Sequence, residues 1–170
     1  MPATIDPVKL TDAGARLSGD LPLKAMDRLR AMCVDDQAQA CVVLQFERSG
    51  EPGLRRIWGD ITITLHVACQ RCLQPMSLVL DVHPSLIVVV PDQDSDLLAR
   101  ETDVVVADRP VRLARVVEDE LLLAMPMIPM HDVGKCPSAA YLGKARHQER
   151  KDSPFSVLDR LKSKDWKQQH

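Results

Sequence analysis

From position 57 to position 67 the chain alternates. Ile57, Ile61, Ile63, Leu65 and Val67 share one parity, while Asp60, Thr62, Thr64 and His66 take the other. A two-residue period of this kind describes a strand with one face buried and one face wet. Cys69 falls on the inward parity. After Cys69-Gln70-Arg71-Cys72-Leu73-Gln74-Pro75, the alternation resumes, with Met76, Leu78, Leu80 and Val82 set against Ser77, Asp81 and His83. Two such strands around a short connection predict an antiparallel hairpin with the cysteine pair at its tip.

Other segments follow different periods. Leu21, Met26, Leu29 and Met32 stand near helical spacing behind the cap residue Asp20, which predicts a short helix over residues 20–32. Residues 41–46 are strand-formers, and Gly50-Glu51-Pro52-Gly53 reads as a turn. Residues 86–90 predict a more buried strand, 92–101 an acidic loop, and 104–106 a short strand. Residues 111–125 predict an amphipathic helix with Leu113, Val117, Leu121 and Ala124 on one face, stopped by Pro126 and Pro129. Residues 131–153 read as loop or linker. Ser153-Pro154 opens a final short helix over 155–162, with Phe155, Leu158 and Leu161 as its apolar stripe.

The fold expected from these elements is α+β. A mainly antiparallel sheet packs against the 111–125 helix, with short N- and C-terminal helices. The number of short strands leaves open whether the sheet curls into a barrel. One domain is expected over residues 1–132, followed over 133–170 by a loop and a basic C-terminal segment.

Composition narrows the reading. With 45% apolar and 27% charged residues in 170 positions, the chain can bury a core without disulfide staples. Aromatic residues are only 3%, so the core must be aliphatic, and RNA binding by base stacking on a sheet is disfavoured. The net charge of -2 is unevenly spread: residues 141–170 carry +4 and the rest -6. A basic tail on an acidic body suits phosphate or acidic-protein contacts, although a solvated terminal helix would look the same. The start, Met1-Pro2-Ala3-Thr4-Ile5-Asp6, has neither a basic n-region nor an apolar h-region. The longest apolar runs fall far short of the roughly 20 residues that span a bilayer. A cytoplasmic protein with reduced thiols is expected, leaving metal binding or burial as uses for its five cysteines.

Cys69-x-x-Cys72 is the sharpest candidate for chemistry. Two thiolates on a tight turn can reach one zinc ion, and a structural site takes four protein ligands. His131 and Cys136, just past the predicted helix, are the candidates to complete it. Cys69 as a buried small hydrophobe, an idle dithiol and a redox pair are the competing readings. Redox catalysis of the thioredoxin kind needs the motif at a helix N-terminus, and here the flanks are strands. Cys33 and Cys41 have no ligand-like partner and read as core.

Glu118-Asp119-Glu120 resembles a catalytic acid cluster, but consecutive helical residues point about 100° apart and cannot converge on one atom. Arg115 offers ordinary pairing at i−3 and i−4, so the triplet reads as a charged face for docking a partner. His66 and His83 read as surface histidines on adjacent strands. The phosphate loop, the Gly-x-Ser-x-Gly elbow and the His-Glu-x-x-His pair are all absent.

Four blocks resemble a known family. They are Ile5-Asp6-Pro7-Val8; Gly59-Asp60 with Cys69-Gln70-Arg71-Cys72; the run from Val117-Glu118-Asp119-Glu120 through Pro126-Met127-Ile128-Pro129-Met130-His131-Asp132; and Pro154-Phe155-Ser156-Val157-Leu158 with Leu161-Lys162. In this order they are similar to the bacterial YceD-type large ribosomal RNA subunit accumulation proteins. The resemblance implies a role in synthesis, processing or stability of large-subunit (23S) ribosomal RNA. It supplies no catalytic residues. Some relatives carry further cysteines after the helix, resembling a zinc ribbon. Here His131 stands where a cysteine is expected, and no cysteine follows Cys136.

The expected function is a non-catalytic ribosome-biogenesis factor, with structural zinc as its one candidate cofactor. Its partner is a ribosomal RNA precursor or a ribosome-assembly protein, and neither a membrane nor DNA. The contact residues expected are Arg71 at the tip, Glu118, Asp119 and Glu120, and Lys144, Arg146, Arg150, Lys151, Lys162 and Lys164 in the basic segment. A zinc-dependent enzyme acting on RNA and a binding module for one ribosomal protein are the alternatives.

Overall fold

The computed structural model describes residues 1–48, 54–91, 103–132 and 134–138. The chain divides into two units, Met1–His131 and Asp132–His170. Every helix and strand named below lies in the first. In the second, Lys135 and Cys136 donate their backbone N–H groups to the Asp132 carbonyl (3.0 and 3.1 Å), forming a tight turn. The predicted 155–162 helix and the basic residues from Lys144 to Lys164 lie outside the described residues.

The spine of the first unit is β4 (Arg55–Ala68), the alternating segment with which the chain announces itself. Its inward parity is buried without a break from Ile57 to Val67, and Cys69 continues it. On one side β3 (Gln39–Arg48) pairs antiparallel over Arg55 to Thr62, and β2 (Arg16–Pro22) pairs antiparallel with β3. On the other side β5 (Pro75–Val82) forms the predicted hairpin, with Ala68 opposite Pro75 and Ile61 opposite Val82. The strand β6 (Ser85–Val89) then pairs with the start of β4 in the same register, Trp58 opposite Ser85. Thus β5 and β6 are one antiparallel run broken at His83-Pro84. Proline has no N–H to give the ladder, which accounts for the break.

Two pairings depart from the antiparallel pattern or from local reach. β7 (Val104–Val106) joins β6 in parallel, making the sheet mixed. β1 (Thr4–Ile5) pairs with β8 (Val111–Arg112) across more than a hundred residues. The six-stranded sheet runs β2-β3-β4-β6-β7, with β5 also on β4, and it does not close into a barrel.

Three helices are present among the described residues. α1 (Pro7–Asp12) is not among the predicted elements, although its signals are in the sequence. Asp6 caps it by accepting the Lys9 N–H (3.2 Å), and Pro7 stands in the first turn. The helix expected over 20–32 shrinks to a 3-10 turn at Leu23–Ala25 and α2 (Asp27–Arg30). The reason is parity: Leu21 and Leu23 are buried two apart, as in a strand, and only Met26 and Leu29 keep helical spacing. α3 (Leu113–Ala124) buries Leu113, Val116, Val117 and Leu121 in the same core as the sheet's inner residues. Pro126 ends it by forcing Met125 into extended backbone (φ -63°, ψ 129°).

Cys41 is exposed, against its reading as core, because β3 turns Ala40, Val42, Leu44 and Phe46 inward instead. Cys33 is half-buried and its thiol donates to the Leu29 carbonyl (3.3 Å). His66 and His83 are exposed but do not face each other; they bond to Asp35 (2.7 Å) and Asp60 (2.8 Å).

Gly59 is required by close approach. A Cβ there would lie 2.0 Å from the Val43 carbonyl oxygen and 3.0 Å from the Leu44 Cα, at a φ of +156°. Gly59→Ala must therefore separate β3 from β4 at the centre of the sheet. Its expected cost is about 2–3 kcal/mol, read as a lower urea midpoint with unchanged slope.

Candidate metal centre

The hairpin tip is held before any ion is considered. Cys69 N–H donates to the Gln74 carbonyl (3.0 Å) and Leu73 N–H to the Cys69 carbonyl (2.8 Å), so the chain reverses within six residues. Leu73 takes the left-handed conformation itself (φ 61°), a position where glycine is the easier residue. The tip is also bound to the segment that follows α3. Gln70 N–H donates to the Pro129 carbonyl (2.8 Å), and the Arg71 guanidinium to the His131 carbonyl (3.0 Å). Arg71, expected to meet a partner, thus has one donor committed inside the fold.

These bonds bring His131 against both thiols. Its Nδ1 lies 3.4 Å from the Cys72 Sγ, and its backbone N–H donates to the Cys69 Sγ at 3.4 Å. Cys69, Cys72 and His131 thus form a close group of three donors in the first unit; Cys136, the fourth residue of the predicted set, lies in the second unit and is buried.

The donor chemistry fits. Burial pushes the Cys69 thiol up, but the N–H groups of His131, Arg71 and Cys72 and the His131 side chain outweigh it. The result is a thiol at about 5. Cys69 is then a thiolate at neutral pH, the form that binds metal. Three thiolates with one imidazole are a soft, nitrogen–sulfur donor set suited to tetrahedral zinc.

The acidic triplet is placed differently from the reading of a single exposed face. Glu118 is buried, and its carboxylate takes the Arg28 guanidinium through Nε (3.1 Å) and Nη2 (2.9 Å). It also accepts the backbone N–H groups of Arg28 (2.6 Å) and Leu29 (3.2 Å), capping the start of α2 from 90 residues away. Asp119 bonds the same guanidinium at 2.5 Å. The ion pair is therefore with Arg28, and the described residues give Arg115 no carboxylate within 4.0 Å. Burial, followed by the charges of Asp103 and Asp119, pushes the Glu120 carboxyl up. Nothing in the order of residues pointed to Arg28, since only the fold brings it to Glu118.

An open α+β sheet with Cys69, Cys72 and His131 gathered at a hairpin tip defines the class: a small domain with a candidate metal centre. No solved structure matches the chain. The family described as Large ribosomal RNA subunit accumulation protein YceD matches residues 57–162. A relative from Haemophilus influenzae, "Large ribosomal RNA subunit accumulation protein YceD", is 30% identical over 172 residues, covering 96% of this chain and 97% of its own. The chain belongs to the YceD family. Among the described residues no helix is long and apolar enough to cross a membrane.

Proposed function

We propose that this chain is a non-catalytic factor in the synthesis, processing or stability of large-subunit ribosomal RNA. The observation that carries the reading is family membership along nearly the whole chain, in a family named for that RNA's accumulation. Cys69, Cys72, His131 and Cys136 would hold a structural zinc ion, whose part is to fix the tip and the segment after α3. Four protein ligands leave no open coordination position for water or substrate, so this ligand set does not favour a zinc enzyme. Arg71 and the basic residues Lys144, Arg146, Arg150, Lys151, Lys162 and Lys164 remain the proposed contacts with an RNA precursor or an assembly protein.

Depleting the protein in its host is expected to lower the ratio of large- to small-subunit ribosomal RNA, with recovery when the full chain is resupplied. An unchanged ratio would overturn the reading. Capturing partners from lysate with and without nuclease then separates direct RNA contact from contact through a ribosomal protein.

A further inference from the structure

Two cavities of about 550 and 310 Å3 adjoin the start of α3, and Arg112 and Arg115 line both. Asp27, Asp108, Glu118, Asp119 and Glu120 line the same cavities, but none forms an ion pair with either arginine. Glu118 and Asp119 are both spent on Arg28, and Asp108 lies nearest Arg109, at 3.9 Å. Among the described residues no carboxylate comes within 4.0 Å of Arg112 or Arg115, and both are exposed. Arg112, just before α3, and Arg115, in its first turn, thus present guanidinium forks of the kind that match phosphate oxygens.

The larger cavity has a second character. Leu86, Val105 and Val116 form part of its wall, and Glu120 lines it as well. Its volume falls within the range of small-ligand pockets, enough for one nucleoside. A carboxyl group at the side of such a space can bond a base edge or a ribose hydroxyl.

We infer that Arg112 and Arg115 bind the backbone phosphates of single-stranded RNA, with one nucleoside entering the cavity beside Glu120. The site reads phosphate by charge and the nucleoside by hydrogen bonding, and so does without the aromatic platforms that this chain lacks. It deepens the ribosomal RNA reading and rests on it.

The test uses the full chain and a short fluorescein-labelled single-stranded RNA of mixed sequence, followed by anisotropy across a salt series. Arg112→Ala/Arg115→Ala is expected to weaken binding at least about tenfold. It should also flatten the salt dependence by roughly 1.4 in log–log slope, two phosphates' worth for a single strand. Arg16→Ala, which removes an exposed arginine on β2, is expected to stay within about twofold, as a charge change away from the site should. Glu120→Ala should narrow the preference for RNA over DNA of the same sequence, because the ribose hydroxyl loses its partner. Circular dichroism checks that each variant folds.

Unchanged affinity and slope in the double variant, or an equal loss with Arg16→Ala, would overturn the site. So would a double variant that keeps RNA but loses a protein partner in nuclease-treated lysate. Absence of RNA binding by the wild-type chain would also overturn it. The ribosomal RNA ratio on depletion is measured independently, so failure of this site is distinguishable from failure of the proposed function.

Discussion

Replacing Glu118 by alanine is expected to cost the fold about 1.5–3 kcal/mol, because the buried carboxylate's charge-assisted hydrogen bonds are lost while the half-exposed Arg28 guanidinium keeps Asp119. The carboxylate has four donors on it: two from the Arg28 guanidinium and the N–H groups of Arg28 and Leu29. Its removal leaves the start of α2 uncapped as well as the guanidinium without its buried partner. Arg28→Ala should cost less than Glu118→Ala only if water reaches the abandoned carboxylate, which sits on the inner side of α3. The sign of the pH dependence follows from the direction of the shift. Burial pushes the carboxyl up, but the Arg28 side chain and the two N–H groups more than reverse this, so the folded value lies below the ordinary one. The stabilisation is therefore complete above the unfolded value of about 4.3 and is lost as pH falls through the lower folded value. Urea melts from pH 7 down to pH 3 should show a steeper acid loss in the wild-type chain than in Glu118→Gln. Parallel curves would refute the coupling.

The second large effect concerns the metal. Cys69→Ser/Cys72→Ser is expected to abolish zinc binding, taking the content from about one ion per chain to none by elemental analysis. A site saturated a thousandfold above its dissociation constant stabilises the folded state by about 4 kcal/mol. The same amount should disappear from the melting curve on chelation, and the serine variant should not respond to chelator. A wild-type protein purified without chelator that carries no zinc would defeat the proposal. The sheet itself should survive, because Gln70 and Arg71 still bond the Pro129 and His131 carbonyls.

How far these features could be read from residues alone depended on the range of the interactions. The hairpin was legible because parity is local: each side chain of Ile57 to Val82 declares its face by its neighbours two positions away. The Cys-x-x-Cys tip followed from the same pattern, and His131 from the cap-and-stop signals that end α3. The parallel pairing of β6 with β7 left no such trace, since Val104, Val105 and Val106 would look alike in either direction. Leu21 was misleading because its spacing to Met26 suits a helix, while its burial two residues from Leu23 belongs to a strand. Glu118 was the hardest case. Arg115 offered a plausible neighbour by spacing, and the residue that takes the charge stands far back in the chain.

The pairing of Thr4 and Ile5 with Arg112 and Val111 has a consequence for synthesis. The first strand emerges from the ribosome about a hundred residues before the strand that receives it. At typical elongation rates of about 5–20 residues per second, that is a wait of roughly 5–20 seconds. Arg28 and Leu29 wait likewise for Glu118. The nascent β1 segment must therefore stay soluble on its own until α3 is made, and the first unit cannot close before then.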